Sequence, residues 1–123
     1  MKILIVDDNK HLLELLALNA ELGGHKPVTK NNMAEALTYF ENNSVDAMMV
    51  DYHFDGKKMT GNDFISICKN KKKDIFALLM TGSVSRNTIY KEPHSWDMVI
   101  DKLDLSRNTF EVIVNAINKK EKE

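Results

Sequence analysis

Three aspartates, a threonine and a lysine stand directly behind, or one residue beyond, short apolar runs in this sequence. Ile3–Val6 leads into Asp7-Asp8-Asn9, Ala47–Val50 into Asp51, Ile75–Met80 into Thr81-Gly82-Ser83, and Met98–Ile100 into Asp101-Lys102. An ionised carboxylate ending a buried strand needs a partner, and several gathered at one edge repel unless a cation neutralises them. Oxygen ligands with no His or Cys cluster favour a hard ion. Mg²⁺ fits best, since it keeps several waters and needs only one or two protein carboxylates. Lys102 adds one positive charge, and Thr81 adds a hydroxyl that can donate to an anionic oxygen. Such a set suits phosphoryl transfer, which needs a nucleophile and positive charge around the phosphoryl oxygens.

That chemistry requires the runs to be parallel strands, because ligands bind beyond the carboxyl ends of a parallel α/β sheet. Three of the runs are nearly continuous in apolar residues, as strands covered by helices on both faces must be. A weaker fifth strand is expected near His25–Lys30. Helical spacing fills the intervals. Leu12, Leu13, Leu15, Leu16, Ala20 and Leu22 make a wide stripe, and Met33, Leu37 and Phe40 a narrower one behind the capping pair Asn32 and Glu35. Phe64, Ile65 and Cys68 mark a third helix, whose end at Lys69, Lys71, Lys72 and Lys73 reads as a solvated basic terminus. Ser85–Glu92 is a short, polar fourth helix with Ile89 and Tyr90 as its core residues and Pro93 as its stop. Phe110, Ile113, Val114 and Ile117 mark the fifth, which frays into Lys119–Glu123. Five βα units with right-handed crossovers predict a three-layer α/β sandwich.

Size and composition narrow the classes. At 123 residues the chain is expected to be one domain, 1–123, with 119–123 a frayed tail or the start of a linker. Seventeen basic against eighteen acidic residues leave a net charge of −1, without the basic excess of a non-specific nucleic-acid binder. The apolar runs are far shorter than the roughly 20 residues of a membrane span. Acidic residues from position 7 argue against a signal peptide. The lone Cys68 fits a reducing, cytoplasmic setting and reads as core packing. Trp96 reads as an apolar anchor beside the fifth strand.

Asp7-Asp8, Asp51, Thr81 and Lys102, in this order and at these strand ends, resemble the five site positions of response-regulator receiver domains of two-component signalling. The resemblance covers essentially the whole chain. It implies a flavodoxin-like sheet of five parallel strands in the order 2-1-3-4-5. By position, Asp51 is the implied phospho-acceptor, taking its phosphoryl group from a histidine kinase, a histidine phosphotransfer protein or a small phosphodonor. Asp8 and Asp51 are implied as direct Mg²⁺ ligands, Asp7 more through water, and the backbone carbonyl of His53 as a further ligand. Lys102 pairs with Asp51 and then with the phosphoryl group, while Thr81 reports the change toward the fourth helix, fifth strand and fifth helix. His53, Gly82 and Ser83 are the positions that modulate hydrolysis of the acyl phosphate. The implied protein is a signalling switch rather than a classical enzyme, although it catalyses its own phosphorylation and dephosphorylation. It signals to a downstream protein as a monomer or a phosphorylation-linked dimer, without direct nucleic-acid contact or membrane insertion.

Each residue has a plainer reading. Asp7 and Asp8 could cap the first helix, Thr81 could be a turn hydroxyl, Lys102 a surface cation and His53 a loop histidine. The sequence also departs from the family. Leu103 follows the lysine where receivers usually have a cis-proline. Val99 occupies the switch position, which is usually aromatic. The loop from Tyr52 to Gly61 lacks the usual proline and is longer than in common receivers. Those departures favour, as an alternative, a pseudo-receiver acting as a constitutive interaction module. A nucleotide binder or small hydrolase is disfavoured: neither phosphate-loop pattern occurs, Asp7-Asp8 would repel a phosphate, and His53 stands where a haloacid-dehalogenase-type phosphatase has its second aspartate.

Overall fold

The computed structural model describes residues 1–54, 56–82 and 86–121. Its strands are β1 (Lys2–Val6), β2 (Lys26–Lys30), β3 (Ala47–Asp51), β4 (Phe76–Thr81) and β5 (Met98–Asp101). They alternate with helices α1 (Lys10–Leu22), α2 (Met33–Asn42), α3 (Gly61–Lys71), α4 (Arg86–Lys91) and α5 (Thr109–Glu121). All strands pair in parallel in the order β2-β1-β3-β4-β5. This is the flavodoxin-like arrangement that the resemblance implies.

The alternating faces of the strands explain the layers. Leu4, Val6, Met48, Val50, Ala77 and Leu79 point to the face covered by Phe40, Phe64, Ile65, Cys68 and Ile89 of α2, α3 and α4. Ile3, Ile5, Ala47, Met49, Phe76, Leu78 and Met80 point the other way, onto Leu13, Leu16 and Ala20 of α1 and Phe110 and Ile113 of α5. Both faces are dry, so the central strands can carry almost no polar residue until their last position.

Several helical details differ from expectation. Leu15, Leu18 and Leu22 are more than half exposed, so the buried stripe of α1 is narrower than its leucine content suggests. Among the described side chains of α4 only Ile89 is buried, and Tyr90 is exposed. Helix α5 runs through Glu121. The lysine run is not simply solvated. Lys69 pairs with Asp97 at 2.6 Å, and Lys72 donates to the carbonyls of Phe40 and Asn43, both at 2.9 Å. Lys72 thus satisfies carbonyls that the end of α2 leaves without intrahelical partners. Asp97 also accepts from Lys120 at 3.0 Å and from the Ala77 amide at 2.9 Å, joining α3, α5 and the start of β4.

Candidate acidic site at the carboxyl edge of the sheet

Register brings the strand ends together. Val6 pairs with Val50, Asp51 with Met80, and Thr81 with Asp101, so residues far apart in sequence emerge along one edge. Asp7, Asp8 and Asp51 each present a carboxylate oxygen within 4.8 Å of the others. Asp7 is fully buried, Asp51 nearly so at 4% exposure, and Asp8 is exposed. Lys102 reaches across from beyond β5, its Nζ 2.9 Å from Asp7 Oδ2 and 3.2 Å from Asp51 Oδ1.

Asp7 is not the helix cap. Asn9 takes that role by accepting from the Leu12 amide at 3.2 Å, and the Asn9 amide in turn donates to Asp7 Oδ1 at 2.8 Å. The other oxygen, Oδ2, is buried and faces Lys102 without an aligned hydrogen bond. Burial first, and the charge of Asp7 second, push the Asp51 carboxyl up to about 6, with Lys102 pulling against them. Burial would lower the Lys102 ammonium, but its ion pair with Asp7 and the charge of Asp51 hold it above the ordinary lysine value. Among the described residues, three acids gather here and Lys102 pairs with two of them. A divalent cation fits this donor set: oxygen ligands only, one of them a buried carboxylate oxygen with no aligned donor.

Thr81 ends β4 and is buried, next in line after the Met80 that pairs with Asp51. Gly82 is exposed, and a Cβ there would meet the Lys102 side chain at 3.4 Å, an ordinary contact. The His53 side chain is exposed. Ser83 lies outside the described residues. Asp101 accepts from the Leu103 amide at 2.9 Å and caps a 3₁₀ turn, Lys102–Asp104. A proline at 103 could not donate that bond. No cis peptide bond occurs among the described residues.

Further residues around Asp51 have no site role in the sequence reading. Gly61 opens α3 so close to the Asp51 carbonyl that any Cβ would overlap it, and its amide donates to the Tyr52 carbonyl at 2.8 Å. Thr60 and Asp63 form a capping box that fixes this helix start. Asn62 and Tyr52 both hydrogen-bond to Glu92. The Thr60-Gly61 pair is a readable helix-start signal, but its contact with Asp51 is tertiary.

No protein-family model matches the sequence, and no curated protein does. Solved structures do. A CheY-like receiver domain protein from Methanospirillum hungatei is 23% identical, with a TM-score of 0.86 over 98% of this chain and 96% of that one. The chain has the receiver-domain fold. A receiver domain from Clostridium thermocellum is 25% identical, with a TM-score of 0.83 and the same coverage. The response regulator TrrA from Thermotoga maritima, solved in complex with Mg²⁺ and BeF, is also 25% identical, with a TM-score of 0.80 over 94% of this chain and 97% of that chain. Within the receiver fold, Val99 is a partly buried residue of β5 packed toward the α2–α3 face. Among the described residues, no helix is long and apolar enough to cross a membrane.

Proposed function

We propose that this chain is a phosphorylation-dependent signalling switch with Asp51 as the phospho-acceptor. The observation that carries this reading is the placement of Asp51. It is the last residue of a buried strand, with Asp7 and Asp8 grouped around it and Lys102 at 3.2 Å. An Asp51 oxygen attacks the phosphorus of a phosphohistidine, the P–N bond breaks, and its electron pair returns to the imidazole. An acyl phosphate results. With its carboxyl at about 6, Asp51 is ionised at neutral pH and able to attack.

Asp8, Asp51, Asp7 and the His53 backbone carbonyl are the groups that would hold Mg²⁺, which would supply positive charge against the phosphoryl oxygens. Lys102 neutralises the added charge by turning from Asp51 toward the phosphoryl group. Thr81 donates its hydroxyl to a phosphoryl oxygen. The resemblance makes His53, Gly82 and Ser83 the positions that modulate hydrolysis of the acyl phosphate. The phosphodonor is a histidine kinase or phosphotransfer protein, and the output is contact with another protein.

Val99 favours one alternative, a pseudo-receiver that binds partners without switching. A valine cannot make the aromatic rotamer change associated with the threonine in this family. Intact mass measured after incubation with Mg²⁺ and a small acyl-phosphate donor separates the two. The switch gives a phosphoryl adduct that Asp51→Asn abolishes. Absence of an adduct despite measurable Mg²⁺ binding favours the pseudo-receiver.

A further inference from the structure

Glu92 follows the last residue of α4, yet its carboxylate is held by Tyr52, just beyond Asp51, and by Asn62 in the first turn of α3. The Tyr52 hydroxyl donates to Oε1 at 2.7 Å and the Asn62 amide to Oε2 at 2.8 Å. Tyr52 is the residue after Asp51, and Asn62 the residue after Gly61. These two segments are themselves joined by the Gly61 amide on the Tyr52 carbonyl and by the contact of Gly61 with Asp51. Both donors are at least nine-tenths buried. The Asn62 Oδ1 atom is buried without a partner, so the Asn62 side chain is oriented through its bond to Glu92.

Tyr90 of α4 also meets the Trp96 ring edge-on, with centroids 5.1 Å apart. Hydrogen bonds to a charged acceptor are worth more than neutral ones, and removing the acceptor leaves buried donors unsatisfied. A helix of six residues, with Ile89 as its buried side chain among those described, opens locally more easily than the sheet does.

We propose that Glu92 is a positioning residue that couples α4 to the Asp51 loop, so that charge added at Asp51 is read as a movement of α4 through Tyr52 and Asn62. This rests on Asp51 being the acceptor. It provides a path from the site to α4 that does not use the valine at position 99.

Amide hydrogen exchange over residues 86–91 and 52–64 tests the coupling in the intact chain. Without ligand, Tyr52→Phe keeps the ring in its pocket but should raise exchange in α4 roughly tenfold, the scale of one lost bond to a charged acceptor. Glu92→Ala should raise exchange in both segments. Glu92→Gln should restore most of the protection, because turning the Asn62 amide presents its unpartnered oxygen to the new glutamine nitrogen. Mg²⁺ with beryllium fluoride should then raise α4 exchange in the wild type but add little in Tyr52→Phe. Unchanged α4 exchange in both Tyr52→Phe and Glu92→Ala overturns the coupling. So does a response of the acceptor loop to Mg²⁺ and beryllium fluoride that leaves α4 untouched, and in that case the acceptor reading stands. If neither segment responds to the ligand in the wild type, the acceptor reading falls and takes the switching role of Glu92 with it.

Discussion

The α-carbon of Gly61 rests against the backbone carbonyl of Asp51, with no space between them for a methyl group. Neither residue is there for its conformational freedom, since Gly61 has an ordinary negative φ. What the site requires at this point is the absence of a side chain. Gly61→Ala should therefore cost about 3 kcal/mol or more, because the obstacle is backbone and cannot rotate away. Urea denaturation measures the loss. A variant as stable as the wild type would show that α3 can retreat from Asp51 freely.

Lys102 shares its ammonium between Asp7 and Asp51. Replacing it with methionine leaves the fully buried Asp7 charge without its cation, which should destabilise the chain by about 2 kcal/mol, less than for a wholly buried pair because Lys102 is partly exposed. Adding Asp7→Asn should recover most of the loss, since an asparagine oxygen can still accept from Asn9. Chemical denaturation of the two single variants and the double variant supplies the cycle. Additive losses would contradict the shared pairing.

The Asp51 carboxyl is raised from 3.8 to about 6 in the folded chain. A raised acid favours the protonated native state, so its contribution to stability is fully present below the unfolded value and is lost as pH rises through the folded value. Asp51→Asn removes that loss. In metal-free buffer its stability advantage over the wild type should be small at pH 4, grow to about 1–3 kcal/mol near pH 6, and stay level above. Thermal melts at a series of pH values give the curve, and an advantage that shrinks with rising pH would reverse the assignment.

Asp8 is exposed and makes the site's accessible carboxylate. Mg²⁺ at about a hundred times its dissociation constant should stabilise the wild type by roughly 2.7 kcal/mol, and a chelator should remove the effect. Asp8→Ala should fold normally yet lose this response. A Mg²⁺-dependent rise in melting temperature that persists in Asp8→Ala would place the cation elsewhere.

The central strands were legible because a strand dry on both faces can tolerate only apolar residues, and the acids ending β1 and β3 break that pattern abruptly. β2 was faint for a physical reason. It lies at the sheet edge, where Lys26 and Lys30 flank a proline at position 27 and discourage further pairing. The acid–lysine group could be assembled from sequence because each member is tied to a strand end. Glu92 could not: its partners lie 30 and 40 residues away, and nothing local distinguishes it from other surface glutamates. Ile89 and Tyr90 are adjacent and both carry apolar bulk, and the docking angle of α4 buries Ile89 and leaves Tyr90 exposed. Leu15 and Leu22 mislead similarly, since helical spacing shows that they share a side but not that anything covers it.

The Asp97 bridge sits at the amino end of β4 and β5, where two ammonium groups enclose a single carboxylate, while at the far end of the same sheet Asp7, Asp8 and Asp51 gather and two of them hold the Lys102 ammonium. These two groups form an axial dipole along the strands, within a chain whose net charge is only −1. Such a dipole exerts torque at distances where net charge gives little pull. A basic partner surface would be turned toward the Asp51 end before contact, and added salt would slow productive encounter by weakening that alignment.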